Sequence, residues 1–136
     1  AEYHIGENGS DPILLKAGKI TFYSKDGYAL TEDMTFSSQD ERKDIVFSGS
    51  AGRGKVNTDG SNMSLWGGVV LKKKKRGMEI RAENLELDRD EDTIVADGRV
   101  MVESEEGRFS GYDFKGDMKT GVYIFSEIEE GELNFE

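Results

Sequence analysis

Residues 65–125 read LWGGVVLKKKKRGMEIRAENLELDRDEDTIVADGRVMVESEEGRFSGYDFKGDMKTGVYIF, and the fold is decided there. Val69 and Leu71, Met78 and Ile80, and Leu85 and Leu87 recur at every second position. That period belongs to strands with one buried face, because successive side chains of an extended chain point to opposite sides. Gly-bearing pairs at Arg76-Gly77, Asp97-Gly98, Glu106-Gly107 and Thr120-Gly121 supply the tight turns that join such runs into antiparallel hairpins. The segment 81–92, RAENLELDRDED, contains helix formers, but Leu85 and Leu87 alternate while Asn84 and Asp88 interrupt. It too reads as strand. The stretch predicts a meander of short strands in three or four hairpin-like units.

The same rhythm extends outward. Upstream, Ile20 and Phe22 alternate, Asp26-Gly27 turns, Tyr28 and Leu30 follow, then Met34 and Phe36. Residues 37–44, SSQDERKD, form a charged loop, and Ile45–Phe47 returns as strand. Gly49, Gly52 and Gly54 mark a bulge or a place where another backbone or a ligand comes close. Asp59-Gly60 turns the chain into Met63–Trp66. Residues 1–16, with Asn8-Gly9 and Asp11-Pro12, read as a loose arm that adds a strand end at Ile13–Leu15, and residues 17–136 as one domain. The tail 126–136 offers a last strand with a turn at Glu130-Gly131. Two glycines nine residues apart recur at Gly18 and Gly27, Gly68 and Gly77, and Gly98 and Gly107, each first glycine followed by apolar residues. Reuse of one supersecondary unit suggests an elongated or stacked sheet.

Composition narrows the function. The net charge of −10 opposes nucleic-acid binding, which needs a basic surface for phosphates. With no Cys there is no disulfide or thiolate metal site, as suits a reducing compartment or an envelope protein folding without bridges. No apolar run approaches the roughly 20 residues of a membrane-spanning helix. The chain opens Ala1-Glu2-Tyr3, as expected where a signal or anchor segment has been removed or left out. The single His, His4, leaves no base for a serine triad. No phosphate-binding or dinucleotide loop is present. The acidic run Asp88–Asp92 lacks the central Gly and the closing Glu of a calcium loop and reads as a hairpin turn. No catalytic, cofactor-binding or metal-ligating residue is assigned.

One basic block interrupts the acidic chain, Lys72-Lys73-Lys74-Lys75-Arg76. Lysines on exposed strands protect sheet edges from aggregation. The alternative is contact with the anionic groups of a ligand or lipid surface, for which Lys72 and Lys74, sharing one face, are the candidates.

The central stretch resembles the periplasmic lipopolysaccharide-transport proteins of the LptC/LptA (OstA-like) family. The resemblance rests on Leu65-x-Gly67-x-Val69-x-Leu71, the turn at Gly77, and Ile80-x-Ala82-x-x-Leu85-x-Leu87-Asp88. It continues through Ile94-x-Ala96-Asp97-Gly98-x-Val100-x-Val102 and Gly111-x-x-Phe114-x-x-Asp117. The order of elements is closer to LptC than to LptA, and the N-terminal half matches only through its strand rhythm. The resemblance implies an all-β fold, a twisted antiparallel β-jellyroll with a V-shaped pair of sheets open along one side. It implies a non-enzymatic, cofactor-free carrier whose apolar interior holds lipopolysaccharide acyl chains. Alternation nominates Ile20, Phe22, Leu30, Phe36, Phe47, Leu65, Val69, Leu71, Ile80, Leu85, Leu87, Val100, Val102, Phe109 and Phe114 for that inward face. Implied partners are lipopolysaccharide, an LptA-like periplasmic protein and an inner-membrane LptB/F/G-type transporter, with head-to-tail self-association through edge strands near Ile13–Phe22 and Val122–Glu127. The implied location is the periplasm, anchored to the inner membrane by a helix ahead of this chain. A carbohydrate- or surface-binding β-sandwich is the alternative and would use Trp66, Tyr112 and Tyr123 as a sugar platform.

Overall fold

The computed structural model describes residues 2–5 and 12–133, and these form a nine-stranded antiparallel sheet in which each strand pairs with the next in sequence. The strands are β1 (Glu2–Ile5), β2 (Ile13–Tyr23), β3 (Tyr28–Gln39), β4 (Ile45–Asn57), β5 (Asn62–Lys73), β6 (Met78–Asp88), β7 (Thr93–Ser104), β8 (Gly107–Asp117) and β9 (Val122–Leu133). A single helical turn, Lys75–Gly77, sits between β5 and β6. The all-β expectation holds, but the strands are long. From β2 to β9 they run 11 to 13 residues. Two expected turns are therefore not turns: Asp97-Gly98 lies inside β7 and Glu130-Gly131 inside β9. The expected arm is not loose where it is described, since Glu2–Ile5 pairs with Ile13–Lys16. Asn8-Gly9 and Asp11 lie outside the described residues.

Each strand from β2 to β8 breaks its alternation once, near its middle. Inward positions flank the break at residues 17 and 20 in β2, 31 and 34 in β3, 51 and 54 in β4, and 65 and 69 in β5. They continue at 82 and 85 in β6, 96 and 100 in β7, and 111 and 114 in β8. A strict period of two would send the second half of most strands to the wrong face. The breaks use backbone that bulges: Asp33, Gly67, Gly68, Gly98 and Asp113 all have positive φ. Gly98 is secured by its N–H donating to Asp113 Oδ1 at 2.9 Å. Gly52 and Gly67 meet backbone to backbone at the same level, the close approach that the glycine run anticipates.

Aligned across the sheet, these breaks form a seam along which it folds over. Tyr3 pairs with Leu15, and Phe22 lies seven residues farther along β2, roughly 23 Å away on a straight strand. Their rings are 4.9 Å apart. Lys73 ends β5 while Asp92 follows the strand end paired with Asn62, where β5 begins, yet Lys73 Nζ and Asp92 Oδ1 lie 3.3 Å apart. Arg89 stands 5.4 Å from the Phe47 ring centre, again joining opposite strand ends. The folded sheet encloses one core, running from Ile5 and Ile13 through Leu65, Ile80, Leu85 and Val100 to Phe114 and Met118. Each fully buried aliphatic contributes about 1.5–3 kcal/mol.

The two kinds of seam glycine have distinguishable costs. Gly98 has open space around it but φ +78°, so Gly98→Ala costs about 1–2 kcal/mol of backbone strain. A Cβ on Gly52 would sit 2.7 Å from the Gly67 carbonyl oxygen, and Gly52→Ala destabilises more. Urea unfolding midpoints measure both, and equal losses would contradict this packing.

Candidate functional site

The last strand has a neighbour on one side only. On its inward face Tyr123 pairs with Gly116, Phe125 with Phe114, Ile128 with Gly111 and Leu133 with Gly107. Among the described residues no further strand covers these side chains, and Ile128 and Leu133 stay 53% and 55% exposed. Between β7, β8 and β9 opens a cleft of about 530 Å³. Its apolar lining comes from Val102, Phe109, Phe114, Tyr123, Ile124, Phe125 and Ile128. Glycines let the rings lie flat on the sheet: a side chain at Gly131 would meet the Phe109 ring at 2.8 Å, and one at Gly111 the Phe125 ring at 2.9 Å. Phe114 and Phe125 pack with ring centres 5.1 Å apart.

The rim is polar. Arg76 Nη1 lies 3.3 Å from Glu106 Oε1, and Ser104 Oγ donates to Glu106 Oε2 at 2.7 Å. That hydroxyl bond, with the nearby Arg76 charge, holds the Glu106 carboxyl below its ordinary range. Tyr123 is pushed up, chiefly by burial. An apolar lining with a charged rim suits the burial of an apolar group. Among the described residues no cluster of three or more His, Cys, Asp or Glu is placed to hold a metal ion.

The nominated residues divide. Val102, Phe109 and Phe114 line the cleft. Phe36, Phe47, Leu65, Val69, Leu71, Ile80, Leu85, Leu87 and Val100 belong to the buried core, with Ile20 packed against it. Phe22 faces inward opposite Ala29 but lies 43% exposed at the line where the strand ends meet. Leu30 is corrected: it stands on the outer face, because the break at Asp33 puts Ala29 and Thr31 inside. Lys72 and Lys74 also stand outside, 3.7 Å from Glu79 and 3.7 Å from Asp44, while Lys73 and Arg76 reach the inner openings. Hydrogen bonding from Arg81, with Lys72 nearby, keeps the Glu79 carboxyl low. The expected N-terminal edge is partly covered, since β1 pairs with Ile13–Lys16. Trp66 and Tyr112 lie outside on β5 and β8 while Tyr123 faces inward, so the three do not form one platform.

The sequence reading passed over Phe125, Ile128 and Arg76. In residues 122–125 every position is apolar, so alternation cannot choose a face, and the break at Ser126 hides Ile128 from a period-two count.

A family model described as "Lipopolysaccharide-assembly, LptC-related" matches residues 2–127. No curated protein sequence matches significantly. In fold the chain is similar to LptH from Pseudomonas aeruginosa, described as the LptA-homologous periplasmic component of the conserved lipopolysaccharide transport device. That crystal structure superposes with a TM-score of 0.74 over 93% of this chain and 96% of the other, at 13% sequence identity. At that identity the likeness speaks for the fold alone.

The cleft is testable without its natural ligand. An environment-sensitive apolar dye should brighten on binding, and Ile128→Asp should remove most of that signal without lowering the melting temperature, because Ile128 is largely exposed. Unchanged dye fluorescence in Ile128→Asp would place the apolar site elsewhere.

Proposed function

The chain belongs to the LptC-related lipopolysaccharide-assembly family, and on that premise we propose that it carries lipopolysaccharide through the periplasm without performing chemistry on it. Acyl chains enter the cleft beneath β9 and continue the apolar core. The uncovered inward face of β9 carries this reading: Phe125 and Ile128 extend the core beyond the last strand that can bury them. An acyl chain replaces that missing layer, and each methylene taken from water contributes about 0.8 kcal/mol.

Transfer along a bridge follows from the same edge. The outer edge of β9 presents backbone groups that a strand of an LptA-like partner, or of a second copy, pairs with by β-augmentation. At the other end β1 covers Ile13–Lys16 of β2, and the stretch of β2 from Gly18 to Tyr23 is the edge that would meet an LptB/F/G-type transporter or the preceding carrier. No helix among the described residues is long and apolar enough to cross a membrane; the family reading assigns any inner-membrane anchor to a segment outside residues 2–5 and 12–133. In this reading residues 2–5 and 13–16 are part of the jellyroll itself, since β1 pairs with β2 and Ile5, Ile13 and Leu15 lie in its core.

Photoreactive residues placed singly at Phe125, Ile128 and Lys115 test the reading. Lys115 neighbours Phe114 but points outward. Lipopolysaccharide adducts are expected from positions 125 and 128 and not from 115. Equal labelling from all three, or none, would defeat it.

A further inference from the structure

A second opening, of about 370 Å³, lies midway along the line where the strand ends meet. It shares no lining residue with the cleft beneath β9. Its floor is apolar, made by Val46, Phe47, Leu71 and Leu87, and the last three belong to the buried core. Its rim is charged: Lys73, Arg89, Lys119 and Asp92. Three of these four groups are cations, in a chain whose net charge is −10. They come from both strand ends, Lys73 from the end of β5 and the others from the turns after β6 and β8.

This combination selects a class of ligand. A wholly apolar molecule would strip water from the cations without pairing them. A free small anion would leave the apolar floor uncovered. A molecule with acyl chains and a phosphate satisfies both. We propose that this side opening is an entry port for an acylated, phosphate-bearing amphiphile, with its chains on the apolar floor and its phosphate on Lys73, Arg89 and Lys119. The proposal rests on the lipid-carrying reading above and adds a port and a headgroup site to it.

Asp92 holds the phosphate's place in the empty port. Its Oδ1 lies 3.3 Å from Lys73 Nζ, with the two side chains 18% and 40% exposed for Lys73 and Asp92. A half-exposed pair of this kind holds weakly, and a phosphate offers more charge and more acceptor oxygens than the carboxylate it displaces. Arg89 is stationed over the Phe47 ring, its guanidinium 5.4 Å from the ring centre. Lys119 Nζ reaches the Asp90 carbonyl at 3.4 Å. Arg89 Nη1 also donates to the Gly60 carbonyl at 3.4 Å; like the Lys119 contact this bond is long, and a phosphate oxygen competes for the same donors.

The test compares binding of fluorescent lipopolysaccharide with that of the same material after chemical dephosphorylation. The full chain is used unaltered, as the double variant Arg89→Gln with Lys119→Gln, and as Asp92→Asn. The double variant should bind the phosphorylated form about tenfold more weakly, the loss expected from removing charge-assisted hydrogen bonds, and the dephosphorylated form as before. Asp92→Asn should tighten binding of the phosphorylated form only. Equal weakening toward both forms would overturn the port, assigning the rim a purely structural role. Unchanged binding of the phosphorylated form by the double variant, or no gain in Asp92→Asn, would overturn it as well. If the unaltered chain bound neither form, the lipid-carrying reading itself would fall.

Discussion

A single sheet has to bury its own apolar face. No second sheet and no packed helix covers the inward side chains among the described residues, yet Ile13, Leu65, Ile80, Leu85 and Val100 are almost inaccessible to water. The only remaining cover is the other half of the same strands. Every strand must therefore bend, and it must bend where its neighbours do, because the ladder transmits a kink from strand to strand. The seam of Asp33, Gly52, Gly67, Gly68, Gly98 and Asp113 is that shared bend. It uses glycine where two backbones touch and aspartate where a side chain can accept an orphaned N–H, as Asp113 does from Gly98.

A sheet folded this way has two ends, and they differ. At the first, Tyr3 and Phe22 meet edge to face and stop the core. At the other, only Arg76 reaches across to Tyr123, and among the described residues no strand lies across from the inward face of β9. The cleft lies where, among the described residues, no strand beyond β9 packs over Phe125 and Ile128. The outer edge of β9 is guarded by charge: Glu127, Glu129, Glu130 and Glu132 follow one another along it, and acidic side chains discourage indiscriminate edge pairing. Glu129 is drawn back onto the sheet by Arg99 at 2.9 Å and by the Tyr112 hydroxyl at 2.9 Å.

Period-two alternation made the strands legible in the sequence, and glycine pairs located most hairpins, including Asp26-Gly27, Asp59-Gly60 and Thr120-Gly121. The spacing of nine between repeated glycines has a physical meaning visible only in three dimensions. Gly68 and Gly98 lie on the seam and Gly77 and Gly107 at the hairpins, so nine residues measure half a strand together with the turn that follows it. Asp97-Gly98 misled because a bulge and a turn demand the same backbone conformation. Leu30 misled because a bulge at a non-glycine residue, Asp33, leaves no mark in the pattern. The cleft was half legible. Val102 follows from the alternation of β7 and Phe114 from that of the second half of β8. Phe125 and Ile128 depend instead on the position of β9 in the sheet, a property of the whole sheet rather than of any local segment.

The two sides of the folded sheet are held together unequally. Along the seam the strands are continuous and the backbone ladder runs through them. Where the strand ends meet, the turn-to-turn backbone hydrogen bonds stay on their own side: Lys74 N–H to the Val46 carbonyl at one, Met118 N–H to the Asp92 carbonyl and Arg89 N–H to the Ser61 carbonyl at the other. Crossing between the two sides are side chains, Lys73 to Asp92, Arg89 over Phe47, Tyr3 against Phe22, and Arg76 beside Tyr123. Part-exposed ion pairs and aromatic contacts contribute far less than a ladder of backbone bonds. Any widening of the interior therefore occurs along the line of strand ends and hinges at the seam, where glycine tolerates the required rotation. The core beneath need not unfold for this, because each half keeps its own ladder. A bulky apolar guest has to part these side-chain contacts and displace core side chains packed between the two halves. The contacts at the line of strand ends carry the charges that the guest's own polar groups would have to satisfy.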